Sequence, residues 1–142
     1  MIELNFTMSE LLHSDIAQKY NIYNVPDKEH LDNLLILICE CLQPIRNYIN
    51  KPIIISSGYR NPRLNSHPLI NGKPNSQHCT GQAVDFTVKG MTPKQIIEMV
   101  KRSGVEYDQL LNEYNLWVHI SYNKGKNRKQ VLHYDGKSYI SF

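Results

Sequence analysis

The sequence predicts an α+β fold in which N-terminal helices pack on a mostly antiparallel sheet. Apolar residues recur at helical spacing as far as Ile49, and again between Thr92 and Gly104. β-branched and alternating runs begin at Ile53 and dominate after Tyr107. Helices early, strands late and one helix between them is the order of an α+β domain. A chain of 142 residues makes one domain, residues 1–142, large enough to bury a core without disulfide or metal staples.

Thr7 and Glu10 have capping-box spacing, so a first helix is expected to run from there toward Tyr20 with Leu11, Leu12 and Ile16 inward. A second helix begins after Pro26 with Asp27 as its N-cap, and carries Leu31, Leu34, Leu35, Ile38 and Leu42 at helical spacing. Pro44 has no N–H and should kink or restart that helix before residues 45–49. Ile53-Ile54-Ile55, opened by Pro52, reads as a buried strand. Residues 61–75, rich in Asn, Pro and Ser, read as a long irregular loop of the kind that borders functional sites.

Residues 82–88 alternate as a strand, with Ala83, Asp85 and Thr87 on one face. Thr92 and Pro93 start a helix that Gly104 ends. Residues 107–113 and 116–122 read as paired strands joined near Tyr114-Asn115. Residues 130–134 and 138–142 read as a hairpin about Asp135-Gly136.

Composition excludes several classes. Hydrophobic content of 41% and charged content of 20% are those of a globular protein. A net charge of +3 suits a polyanionic surface such as a cell wall and is too weak to argue for nucleic acid. The only dense basic run, Lys124, Lys126, Arg128 and Lys129, reads as a solvated loop. Three cysteines without regular spacing argue against a disulfide framework and for reduced thiols. The longest apolar run, residues 34–39, is too short to span a membrane, so no insertion is expected. Residues 1–10 lack the basic start and apolar core of a secretory signal, which predicts synthesis in the cytoplasm. A monomer is expected.

The chemistry concentrates in Ser76-Gln77-His78-Cys79-Thr80-Gly81-Gln82-Ala83-Val84-Asp85 and in Trp117-Val118-His119. His78, Asp85 and His119 supply two imidazoles and a carboxylate, the three-ligand set that suits a catalytic zinc with one open position. His78 at the end of a loop and Asp85 in the next strand can converge if Gly81 permits the bend, and His119 in a second strand completes the face. A purely structural zinc needs a fourth protein ligand, for which Cys79 and His133 are the sole candidates. His13, His30 and His67 have no partners and are read as non-ligands, as is His133 outside that case. Trp117 is read as core. Gln109 is either a strand glutamine or a group orienting a ligand.

The order Ser-x-His-x-x-Gly-x-Ala-x-Asp, then Trp-x-His, with Ser57-Gly58-Tyr59-Arg60 upstream, resembles the zinc peptidases of the D-alanyl-D-alanine carboxypeptidase family. The likeness runs from about Phe6 to the C-terminus. It is greatest to the small single-domain, endolysin-like members of phages and bacteria, whose fold is shared with the Hedgehog signalling domain. The resemblance implies one Zn2+ per chain on His78, Asp85 and His119, and a glutamate as general base. Many members place that base three residues before the last histidine, where this chain has Leu116; Glu113, six before His119, resembles the spacing of other small members. Glu113 is thus either the base or a polar residue at a hairpin end.

Arg60 matches the arginine that binds substrate or stabilises charge at the scissile carbonyl. Ser76 matches a serine that contacts the peptide in some members, and reads equally as a turn residue. The implied activity is hydrolysis of peptidoglycan stem peptides, as D,D-carboxypeptidase or as L,D- or D,D-endopeptidase. A phage enzyme of this type would reach the wall through host lysis or a membrane lesion. The alternative is a zinc-containing wall-binding domain without hydrolysis, for which the Hedgehog domain is the precedent.

Overall fold

The computed structural model describes residues 4–141; residues 1–3 and Phe142, the last position of the expected terminal hairpin, lie outside it. Helix α1 (Met8–Leu12) carries the expected capping box, Thr7 accepting from the Glu10 amide and Glu10 reaching back to the Thr7 amide. The first helix does not continue to Tyr20. Ser14 adopts extended backbone and caps a separate helix α2 (Asp15–Lys19), its hydroxyl accepting from the Ala17 amide. A serine with a free amide three residues on competes with helix continuation, and here it wins. Ile16 therefore packs in a small satellite cluster with Ala17, Ile22 and Leu64 rather than in the main core.

Helix α3 (Lys28–Leu37) starts at Asp27 as expected. A π-turn (Ile38–Leu42) leads directly into α4 (Gln43–Ile49), with Pro44 in the first turn of α4. The wider turn accommodates the missing proline N–H and lets the chain continue helically. Leu34, Leu37, Leu42 and Ile45 are fully buried, and each contributes about 1.5–3 kcal/mol by leaving water. Leu35 is exposed and does not belong to that stripe.

A six-stranded sheet has the order β1-β2-β4-β3-β5-β6, with β1 (Ile54–Ser57), β2 (Ala83–Thr87), β3 (Gln109–Glu113), β4 (Trp117–Ser121), β5 (Gln130–Tyr134) and β6 (Tyr139–Ser141). All neighbours are antiparallel except β3 and β5. β1 lies at the edge, so the expectation of a buried strand is corrected: Ile53 is buried, but Ile54 is half exposed. The loop of residues 61–75 contains a short helix α5 (Pro62–Asn65), capped by Asn61.

Helix α6 (Pro93–Ser103) has the expected Thr92 cap and Gly104 end, and buries Ile96, Ile97 and Val100. That face joins α3, the π-turn and α4 in one core with Val84, Phe86, Leu110, Val118 and Ile120 of the sheet. Because side chains alternate across a strand, Asp85, His119 and Glu113 fall on the opposite face of the sheet. The fold thus places α3, α4 and α6 behind the sheet and the polar constellation in front of it.

Candidate metal centre

Two backbone features build the His78 position. Residues Gln77–Thr80 form a single 3-10 turn that Ser76 caps, its hydroxyl accepting from the His78 amide at 3.2 Å. Gly81 ends the turn in the left-handed region at φ 75°, and a Cβ there would meet the His30 carbonyl at 2.4 Å. Only glycine allows both the conformation and the approach. The Arg60 amide donates to the His78 carbonyl at 3.0 Å, which ties Ser57-Gly58-Tyr59-Arg60 to the turn.

Strand register brings in the rest. Asp85 on β2 and His119 on β4 are direct cross-strand partners, so their side chains stand side by side on one face. His119 also faces Leu111 on β3, and Glu113, two residues further along β3, is its diagonal neighbour on the same face. The turn after Glu113 is tight: Tyr114 and Asn115 both have positive φ, and the Leu116 amide donates to the Glu113 carbonyl at 3.0 Å. Asn112 clamps it, its side chain accepting from the Asn115 amide and donating to the Asn115 side chain. Leu116 is 66% exposed on that turn.

His78 Nε2 lies 3.3 Å and His119 Nδ1 3.0 Å from the same oxygen, Oδ1 of Asp85. The three residues are buried, and their donor atoms lie within 4.8 Å of one another. Donors about 2.0–2.2 Å from a tetrahedral ion stand roughly 3.3 Å apart along each edge, and the two imidazole-to-carboxylate distances of 3.3 and 3.0 Å are close to that spacing. Neither Cys79 nor His133 joins this group. His78 Nδ1 donates to the Gly58 carbonyl at 2.7 Å, which leaves Nε2 as the lone-pair nitrogen.

Electrostatics favour the same reading. Burial alone would raise the Asp85 carboxyl, but the two imidazoles beside it hold it well below the usual carboxylate range. Burial lowers His78 against the opposing pull of the Asp85 carboxylate. Glu113 Oε1 is 3.5 Å from His119 Nδ1. Burial first, then the Asp85 charge, raises the Glu113 carboxyl above its ordinary value. Burial lowers Arg60, whose NH1 donates to Ser57 Oγ at 3.3 Å while its buried Nε has no partner.

These groups line a cleft of about 570 Å³ that also receives Ser76, Trp117 and Gln109. Trp117 is half-buried there with its indole N–H unpartnered, so the reading of it as core is corrected. The Gln109 side chain donates to Gln130 and makes no hydrogen bond to the constellation. Ser76 does cap the turn, and it lines the cleft.

Sequence reasoning missed several residues that build or brace the cleft. Arg128 belongs to the run read as a solvated loop, yet it holds the buried Asp108 through Nε at 2.8 Å and NH2 at 3.0 Å. Asp108 also accepts from the Gln77 side chain at 2.9 Å, which braces the turn carrying His78. Lys73, Tyr134 and Tyr139 form the outer wall of the cleft. Nothing in local spacing could have paired a loop lysine with tyrosines near the C-terminus.

A sheet whose open face gathers two imidazoles and two carboxylates, with an arginine alongside, is the frame of a metallopeptidase. The chain matches the peptidase M15 family over residues 4–121 and belongs to that family. No curated protein matches it. The family is zinc-dependent, and the His78–Asp85–His119 group is where this chain can hold a metal ion. The match ends at Ser121, short of the C-terminus to which the resemblance was expected to run, so β5 and β6 lie beyond it.

Proposed function

We propose that this chain is a zinc peptidase that hydrolyses peptide bonds in bacterial peptidoglycan stem peptides, as a D,D-carboxypeptidase or an L,D- or D,D-endopeptidase. The observation that carries this reading is the Glu113 carboxylate, 3.5 Å from His119 and on the same face of the sheet. It leaves the His78, Asp85 and His119 donors free to hold the metal and supplies a base beside them. Arg60 in the same cleft and the net charge of +3 suit an acidic peptide in an anionic wall.

A zinc ion on His78, Asp85 and His119 supplies a Lewis acid for the scissile carbonyl and lowers the pKa of water toward neutrality. Glu113 accepts the proton of the attacking water and delivers it to the departing amine. Its raised pKa brings it nearer the working pH, where a group can both take and return a proton. Arg60 offers its fork of donors to a substrate carboxylate or to charge developing on the carbonyl oxygen. The Gly58 carbonyl keeps His78 in the ligating tautomer, and Ser76 holds the turn and borders the peptide.

The test is mass spectrometry of purified peptidoglycan fragments incubated with zinc-loaded protein, with a chelated sample alongside. Zinc-dependent products are expected, and their masses identify the bond. The presence of Leu116 where many members of the family carry the base favours a second reading, a zinc-containing wall-binding domain. Fragments bound but never cleaved by the zinc-loaded protein would establish it instead.

A further inference from the structure

We propose that Lys73, framed by Tyr134 and Tyr139, forms a second anion subsite at the mouth of the cleft, so that the preferred substrate is a peptide carrying two carboxylates. The inference rests on the zinc-peptidase reading and specifies its substrate. Arg60 takes the carboxylate or polarised carbonyl near the metal centre, and Lys73 takes a carboxylate further along the peptide.

Lys73 is a placed cation. Its backbone carbonyl accepts from the buried Asn65 side chain at 2.8 Å and from the Ser76 amide at 3.0 Å. Its ammonium donates to the Tyr139 hydroxyl at 2.7 Å and lies 4.6 Å from the Tyr139 ring centroid and 5.6 Å from that of Tyr134. The two rings stack at 4.6 Å and 23°, and Tyr114 meets Tyr134 edge-on at 5.5 Å. A lysine ammonium has three N–H donors. One is used by Tyr139, and the others are open to a ligand at a side chain that stays solvent-accessible.

The charge balance calls for such a ligand. Lys73 and Arg60 make no ion pair among the described residues, whereas Arg128, the other cation lining the cleft, is held by Asp108. Asp85 and Glu113 are the carboxylates lining the cleft, and they balance those two cations. A divalent metal on the ligand group then leaves the cleft two positive charges in surplus. Surplus charge in a concave, partly desolvated site attracts a ligand of opposite charge, and a dianionic peptide restores neutrality. Glu113 lines the same cleft as both cations.

The subsite also draws on a part of the chain outside the shared frame. Tyr134 and Tyr139 belong to the terminal hairpin, beyond Ser121 where the family match ends. The hairpin therefore adds to the metal centre a recognition element that the matched region does not contain.

The test uses the zinc-loaded Glu113→Gln protein, which spares the peptide, with Lys73 present or replaced by Gln. Calorimetric titrations employ the pentapeptide L-Ala-γ-D-Glu-L-Lys-D-Ala-D-Ala acetylated at both amines, so that its two carboxylates are its only charges, its analogue amidated at the D-Glu α-carboxyl, and its analogue amidated at the C-terminus. With Lys73 present, one of the two amidations should weaken binding about tenfold, the effect of one lost charge-assisted contact. Lys73→Gln should erase that difference and keep the response to the other amidation. Amidation effects that are the same with and without Lys73 would overturn the subsite while leaving the peptidase reading intact. Loss of affinity for all three peptides alike would mark Lys73 as a structural strap and also overturn it. No binding of any peptide would overturn the stem-peptide reading, and the subsite with it.

Discussion

The His78 ring and the Gly58 carbonyl are joined by a hydrogen bond of 2.7 Å that spans twenty residues of sequence. A carbonyl can only accept, so Nδ1 carries the proton and Nε2 is left for a metal. Gly58 reaches this position because it has no Cβ: one built there would lie 2.2 Å from the Leu11 carbonyl oxygen. Gly58→Ala should destabilise the fold by about 1–3 kcal/mol through that clash. Displacing the carbonyl should also weaken zinc binding about tenfold or more. Thermal melts with and without zinc, together with competition against a chromophoric chelator, measure both. A stability loss with unchanged zinc affinity would show that the carbonyl does not position the imidazole.

Glu113→Gln should retain its zinc and lose turnover by about 10²–10⁴-fold, the usual contribution of a positioned base. The comparison needs metal content by elemental analysis beside the rate on wall fragments. Activity within a few-fold of the parent would remove Glu113 from the proton-transfer role.

Removing the metal should stop turnover and lower Tm, because an ion that binds only the folded chain stabilises it. Linkage makes this about 4 kcal/mol at free zinc a thousand times Kd. Asp85→Ala should abolish the zinc-dependent rise in Tm, since Asp85 Oδ1 stands next to both imidazoles. A zinc-dependent rise that survives in Asp85→Ala would move the metal site elsewhere.

Asp108 links stability to pH. Its hydrogen bond from the Arg128 guanidinium holds its carboxyl below the ordinary value. A depressed folded pKa adds stability above the unfolded pKa, near pH 4, and that stability is lost as pH falls through the folded value. Asp108→Asn should therefore cost about 2 kcal/mol at neutral pH. The difference from the parent should narrow in melts taken progressively below pH 4. A difference that is constant with pH would assign the loss to packing rather than to charge.

The same buried carboxylate illustrates what a linear reading cannot reach. Arg128 looked like part of a solvated run because its neighbours are lysines, and Lys124 and Lys129 do pair at the surface with Glu40 and Glu106. Only the approach of the loop after β4 to the start of β3 reveals that Arg128, itself exposed, reaches the buried Asp108. The split between α1 and α2 was missed for a related reason. The hydrophobic period continues through Ser14, and the competing cap shows itself only in the backbone that Ser14 adopts.

The sequence by itself determined the α+β class, most element boundaries, and the residues that gather at the metal centre. These are written in local periodicity, in caps and turn residues, and in two short motifs. Tertiary structure alone decided that Glu113 is a second carboxylate beside His119, that Trp117 faces the cleft, and that Lys73 meets Tyr139. Those relations depend on strand register and on which face of the sheet the helices cover. A period of two records that side chains alternate, but only the paired strands fix which residues become neighbours.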